Sequence, residues 1–350
     1  MTSEAPRRKV PYVHLGKSGL KVSRIILGCM SYGSTAWMPW LLGEEEGIKH
    51  IKAAYDVGIQ TFDTANVYSN GLSEEILGKA IRQHNLPRDE IVVMTKVGGI
   101  VAGPDDHVYK YISRDPDLDG YVNRYGLSRK HIFDSVQNSL KRLQLDYVDV
   151  LQCHRFDANT PIEETMQALH DVVQAGLVRY IGMSSCYAWQ FHLMQNYAIT
   201  HNLTPFISMQ NHYNVIYREE EREMMPTLRH FGVGAIPWSP LARGLVTRPL
   251  SDANTTARSE ADPWHARYLN GGGGRDVIAR VQKLAADKGA TMAQISLAWV
   301  LSKDPVAAPV VGSTSLKNLY DLLGALDIQL TAEDVKFLEE PYRPMPILGH

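Results

Sequence analysis

No stretch of this chain approaches the ~18 consecutive apolar residues of a membrane span. Neither sign of charge dominates: 36 Lys and Arg stand against 38 Asp and Glu, a net of −2. That balance gives no reason to expect nucleic acid or an anionic membrane surface as a partner. Cysteine is scarce. Cys29, Cys153 and Cys186 are odd in number, far apart, and make no metal-type pair. Cys29 and Cys153, at apparent strand ends, read as small buried hydrophobes, and a reducing, cytoplasmic setting fits. Arg7-Arg8-Lys9 is a charged cluster with no apolar run after it, so no signal peptide is expected. A Gly-x-Gly-x-x-Gly turn is also missing. Where it would follow the first strand stands Gly28-Cys29-Met30-Ser31-Tyr32-Gly33, which counts against an open dinucleotide-binding sheet.

What is present is alternation. With 44% apolar and 21% charged residues in 350, the chain has an ordinary globular composition. Residues 12–23 read as a hairpin turning at 16–19. Strands are then expected at 24–27, 59–63, 91–96, 147–152, 178–183, 205–210, 233–236 and 306–311. Helices are expected between them at 44–57, 73–82, 161–174, 189–199, 219–230 and 316–326. Two further helices are expected, one capped by Ser128 and one carrying Met292, Ile295 and Trp299. The pattern predicts an α/β fold, a closed (β/α)8 TIM barrel with an N-terminal β-hairpin. One domain is expected over residues 1–350, with 1–11 as a flexible tail. Three connections exceed the usual length: 30–43, 97–127 and 238–275, the last with a flexible glycine run at 271–274. All three follow strands and so emerge at the C-terminal mouth. Their aromatics Trp37, Trp40, Tyr109 and Tyr125 are candidate walls of an apolar substrate pocket.

Chemistry concentrates at the same mouth. Asp63 ends the strand at 59–63, Tyr68 follows five residues later, Lys96 ends the strand at 91–96, and His154 stands just after 147–152. A lysine ammonium beside a phenol favours the phenolate and eases proton donation, and a buried carboxylate would hold that ammonium charged. An imidazole nearby can orient a substrate oxygen. Taken singly each has an ordinary reading: a cap, a solvated charge, a packed aromatic, a core histidine. Their coincidence at three strand ends favours a proton-delivery group. It contains no activated nucleophile and no metal cage, which suits carbonyl reduction with hydride delivered by another group. A lyase using Lys96 as a Schiff-base amine would leave Tyr68 unexplained.

The stretch from Gly58 to Lys79 resembles the signature of the aldo-keto reductase family. Thr95-Lys96 and Gln152-Cys153-His154 match the family's next two catalytic strands. The resemblance runs from about Tyr12 onward. It is nearest to fungal reductases of the aryl-alcohol dehydrogenase and versiconal hemiacetal acetate reductase type. Leu127-Ser128-Arg129, His154-Arg155-Phe156-Asp157, Gly312-Ser313-Thr314-Ser315 and Glu340-Pro341-Tyr342 carry that likeness. It implies an NADPH-dependent carbonyl reductase with Tyr68 as general acid, Asp63 and Lys96 tuning it, and His154 orienting the carbonyl. For the cofactor, Ser184, Ser185 and Gln210 match residues that bind the nicotinamide carboxamide, and Trp238 takes the place of a stacking aromatic. Ser239, Pro240, Leu241, Arg243 and Gly244 would follow the diphosphate. Gly312, Ser313, Thr314, Lys317, Asn318 and Asp321 would hold the adenine and 2′-phosphate. The chain departs from many members in having Asn318 and Leu322 where they have Arg and Asn. Lys317 and Arg243 remain as cations for a 2′-phosphate, so NADPH is expected over NADH. The alternative within the family is a nicotinamide-sensing module similar to the potassium-channel β-subunit branch. No heptad pattern or apolar helix face indicates an oligomeric state.

Overall fold

A computed structural model of the chain describes residues 10–103, 115–253, 256, 258–259, 262 and 264–349. β1 (Tyr12–His14) and β2 (Lys21–Ser23) form the expected antiparallel hairpin. Eight further strands lie in one all-parallel sheet. They are β3 (Ile26–Gly28), β4 (Thr61–Asp63), β5 (Val92–Val97), β6 (Val148–Cys153), β7 (Val178–Ser184), β8 (Phe206–Gln210), β9 (Gly234–Ala235) and β10 (Val310–Val311). Neighbours run in chain order, with β10 beside β3. The remaining seam is closed by a parallel bridge between Ala235 and Val306. Across it the amide N–H of Ala307 donates to Ala235 (2.8 Å) and that of Val310 to Pro237 (2.8 Å). The chain thus forms the expected barrel.

The helices are α1 (Glu44–Asp56), α2 (Leu72–Gln83), α3 (Arg129–Leu143), α4 (Ile162–Gln174), α5 (Ala188–Thr200) and α6 (Met224–Phe231). They continue with α7 (Trp264–Leu269), α8 (Gly274–Asp287), α9 (Met292–Leu301), α10 (Leu316–Leu322) and α11 (Ala332–Glu339). Ser128 caps α3 as expected, its hydroxyl accepting from the His131 amide at 3.2 Å. Two hydrophobic groupings result from the alternation of strand side chains. Ile26, Val92, Met94, Val150, Ile236 and Val310 point into the barrel, where Leu15 and Val22 of the hairpin plug its N-terminal end. Phe62, Val93, Leu151, Ile181 and Met209 point outward into the layer shared with the helices.

The closing strands are shorter than expected. Pro305 and Pro309 lack the N–H that a central ladder needs. Arg24 compensates from β3's entry, its guanidinium donating to the carbonyls of Leu301 (2.7 Å), Val306 (2.9 Å) and Ala307. The helix expected at 219–230 is split into a 3₁₀ turn, Glu219–Glu221, and α6. Pro226 sits in the first turn of α6, and its ring would clash with a helical carbonyl four residues earlier. The expected loop at 238–275 contains α7, and its glycine run is not a free swivel. Gly273 has φ 71°, a Cβ there would lie 2.1 Å from the Pro341 oxygen, and Gly272 accepts from the Arg343 amide at 2.9 Å. Helices α8 and α11 were not expected. Val10, just ahead of the hairpin, is buried in the core.

Replacing Arg24 by Met should remove about 2 kcal/mol or more of stability, since three carbonyls at the seam lose their donor. Urea unfolding followed by circular dichroism measures it, and a loss under about 0.5 kcal/mol would mean that water replaces the guanidinium.

Candidate active site

Strand periodicity brings the chemistry inside. Along β5, Met94 and Lys96 share the inner face, as do Val150 and Gln152 along β6. Lys96 is opposite Gln152 in register, and Asp63 opposite Met94. The Lys96 ammonium donates to Asp63 Oδ2 at 2.6 Å, to the Thr64 carbonyl at 2.9 Å and to the Tyr68 oxygen at 3.3 Å. An ammonium has three protons and no lone pair, so all three are committed. The Tyr68 oxygen must accept from Lys96, which leaves its own proton directed elsewhere. The His154 ring stands 5.8 Å from the Tyr68 ring, nearly edge-on at 85°. The structure therefore brings together Asp63, Tyr68, Lys96 and His154.

Charge follows burial. Lys96 and Asp63 are 1% and 2% exposed. Burial works hardest against the lysine's charge, but Asp63 and Tyr68 together outweigh it and the Lys96 pKa lies above its usual value. Tyr68 departs from the simple expectation. Burial raises its pKa more than the Lys96 charge lowers it, so the phenol stays protonated at neutral pH. His154 is held well below the usual histidine range by burial, then by Arg155 and Lys96, and is a neutral imidazole.

The turn carrying Tyr68 is strained. Ser69 and Asn70 both adopt left-handed backbone (φ 48° and 55°), followed by Gly71 at φ 99°. Such residues cost on the order of 1 kcal/mol each unless their surroundings hold them. The hydroxyl of Ser69 accepts from the Ser34 amide at 3.2 Å, Asn66 donates to Ser135 at 2.9 Å, and Gly33 lies so close that any Cβ would strike Ser69.

Two glutamines flank the ion pair. Gln152 and Gln210 each donate to Asp63 Oδ1 at 2.8 Å, and Gln210 also donates to the Gln152 oxygen at 3.1 Å. Gln152 was not singled out as a site residue, although it sits in the motif Gln152-Cys153-His154. Gly182 opposite it leaves the space, since a Cβ there would lie 3.2 Å from Gln152 Cγ and 2.3 Å from the Ser208 hydroxyl. Gln210, expected at the carboxamide, directs its side-chain N–H groups to Asp63 and Gln152.

The other expected cofactor residues ring the same mouth. Ser184 and Gln210 end β7 and β8, and the Ser184 hydroxyl donates to the Gln210 carbonyl at 2.7 Å. Trp238 follows β9; its indole N–H donates to the Ser185 hydroxyl at 2.9 Å, and one face stacks on His212 at 4.2 Å and 12°. His212 stacks in turn on Tyr217, so the indole plane is held from behind. From Ser239 to Gly244 the chain passes Pro240 and Leu241. It turns left-handed at Ser239, Ala242, Arg243 and Gly244. Arg243 is already paired with Asp262. After β10, Gly312 and Thr314 are exposed and Ser313 is buried. Lys317 and Asn318 are exposed at the start of α10. Asp321 ties α10 to α9, accepting from Thr291 (2.8 Å) and Gln294 (3.0 Å). Among the loop aromatics, Trp37 is buried with its ring 6.5 Å from that of Tyr68. Trp40 lies under the Arg258 guanidinium, 4.3 Å away. Tyr125 packs with Ile100, Ala102 and Tyr121 within its own loop and bonds Asp117 at 3.1 Å. Tyr109 lies outside the described residues. The three cysteines are buried and free, and burial raises each thiol's pKa, so they are neutral.

The model of the Aldo/keto reductase family matches residues 24–343. The chain belongs to the aldo/keto reductase family. It is 46% identical over 342 residues to versiconal hemiacetal acetate reductase of Aspergillus parasiticus, covering 96% of this chain and 98% of that protein. A Schizosaccharomyces pombe protein named, provisionally, an aryl-alcohol dehydrogenase is 48% identical over 347 residues, 97% of both chains. An aldo-keto reductase of Metarhizium robertsii is 44% identical over 361 residues, 100% of this chain and 96% of its own. The protein is therefore an oxidoreductase of the carbonyl–alcohol couple, in a family that uses nicotinamide cofactors. Among the described residues no helix is long and apolar enough to cross a membrane, and no cluster of three or more His, Cys, Asp or Glu could hold a metal.

Replacing Gln152 by Leu removes one of the two donors to Asp63 Oδ1 while keeping bulk. The reductase should then lose about tenfold or more in kcat with cofactor affinity unchanged. Steady-state kinetics beside a thermal melt decide it: a fall in Tm without a fall in kcat would make Gln152 a packing residue only.

Proposed function

We propose that this protein reduces aldehydes or ketones, aromatic or otherwise apolar, with NADPH as hydride source and Tyr68 as proton donor. The observation that carries the reading is the chain from Asp63 to Lys96 to Tyr68, at 2.6 and 3.3 Å, beside a neutral His154. The carbonyl oxygen of a substrate lies between Tyr68 and His154, where the neutral imidazole donates a hydrogen bond and fixes its orientation. As negative charge develops on that oxygen, the Tyr68 proton passes to it. The resulting phenolate is stabilised by the Lys96 ammonium, which already points a proton at it. Asp63 keeps Lys96 charged throughout.

Bound NADPH supplies the hydride. The residues present suit it: a backed indole at Trp238, a left-handed loop from Ser239 to Gly244, and polar groups at Ser184 and Ser185. Concave backbone of that kind is suited to phosphate oxygens. With Arg243 committed to Asp262, the exposed Lys317 is the cation that supports NADPH over NADH. The aromatic character of the substrate is supported by Trp37 against Tyr68. A second aromatic pair follows His154 at the rim, Phe156 and Trp189 with ring centroids 6.2 Å apart.

Wild-type protein should consume NADPH faster than NADH with a panel of benzaldehydes. Tyr68→Phe should slow this by about 100-fold or more while NADPH still binds. Tight NADPH binding with no turnover in the wild type would favour a cofactor-sensing module and overturn the reading. Lys96→Met removes the positive charge that opposes the burial of Tyr68, so its phenol pKa rises further. The limb of the pH–rate profile governed by that group should move to higher pH and the rate should fall by orders of magnitude, roughly 100-fold. An unaltered profile would remove Lys96 from its role.

A further inference from the structure

Most partly buried arginines around the barrel pair with a carboxylate, and Arg24 spends its guanidinium on three backbone carbonyls. Arg88 pairs with Asp149, Arg142 with Glu74, Arg218 with Glu221 and Glu339, and Arg243 with Asp262. Arg155 does not follow that rule. It stands directly after His154, donates one N–H to the His154 carbonyl at 2.5 Å, and lies with its guanidinium carbon 5.9 Å from the centre of the Trp238 ring. Among the described residues no carboxylate pairs with it. Asp157, two positions on, is spent on the amides of Leu127 and Asn159 and the hydroxyl of Thr160. A guanidinium carries five N–H donors in a planar fork that fits a carboxylate two-pronged. Here most of that fork is left over, at the mouth, close enough for its charge to bear on Tyr68 and His154.

We propose that Arg155 is a specificity residue that binds an anionic group of the substrate, so that the preferred acceptors are carbonyl compounds carrying a carboxylate. The proposal rests on the reading of the same mouth as a carbonyl-reduction site and names what lies beyond the reacting carbonyl. The rim pair Phe156 and Trp189 would then cover the aromatic body of such a molecule, and Arg155 would take its charged end.

The test compares 3- and 4-carboxybenzaldehyde with their neutral methyl esters in wild type, Arg155→Met and Arg155→Lys. The wild type should favour the acids in kcat/KM. Arg155→Met should abolish that preference, lowering the acid-to-ester ratio about 10- to 100-fold, and Arg155→Lys should restore part of it. Because the ratio is read, any effect of the lost charge on Tyr68 itself cancels. Calorimetry with benzoate and benzamide in the presence of NADP measures the same recognition without turnover, and only benzoate should weaken in Arg155→Met. Equal losses on acid and ester, or benzoate binding no tighter than benzamide in the wild type, would overturn the proposal. So would a rise in the NADPH dissociation constant of Arg155→Met that accounts for the whole effect, since Arg155 would then serve the cofactor. If the wild type turns over none of the aldehydes yet binds benzoate through Arg155, the reduction reading fails and the anion site stands.

Discussion

Two opposite charges, Asp63 and Lys96, are buried at the centre of this barrel, and the rest of the site depends on their staying together. Removing one partner of such a pair typically costs about 3–5 kcal/mol, because the other is left uncompensated in a poorly polarisable interior. The pair has little freedom to rearrange. Lys96 spends all three protons on Asp63, Thr64 and Tyr68, and Asp63 accepts from Lys96 on one oxygen and from two glutamines on the other. That saturation turns an ion pair into an instrument. It fixes which way the Tyr68 proton can go, and it opposes the burial that would otherwise make the phenol a still weaker acid.

The scaffold serves this arrangement at both ends of the barrel. At the N-terminal end the hairpin fills the interior with Leu15 and Val22, and Arg24 closes the seam that proline leaves short of donors. At the C-terminal end the strands stop where their side chains become polar, and irregular backbone takes over. The left-handed run after Tyr68 is tolerable because Gly33, Ser34 and Ser135 pin the turn from neighbouring segments. Gly182 plays the equivalent part below, since only a residue without Cβ leaves room for Gln152 to reach Asp63. Rigid strands and a strained turn together aim one phenol.

The fold was legible because long buried parallel strands write themselves as uninterrupted apolar runs, as in β5 and β6. Where the reading erred, the cause was local chemistry with a tertiary reason. Pro226 split a helix that its apolar spacing suggested was continuous. The glycines at 271–274 carry left-handed turns under the C-terminal segment, where composition alone suggested slack. Of the residues expected at the cofactor, Gln210, Arg243 and Asp321 each have an intramolecular side-chain partner that no motif spacing reveals. Gln152, within Gln152-Cys153-His154, carries no signal of its own, because an amide on a strand reads the same whether it faces a carboxylate or solvent.

By itself the sequence determined the order of strands and helices and the mouth at which Asp63, Tyr68, Lys96 and His154 would emerge. Both follow from periodicity, which is a property of neighbouring residues. The tertiary structure decided how those groups are wired: that Lys96 has no proton to spare, that burial holds Tyr68 protonated and His154 neutral, and that among the described residues no carboxylate pairs with Arg155. Those outcomes depend on distances between residues far apart in the chain and on how much water is excluded between them. Neither quantity exists until the barrel closes.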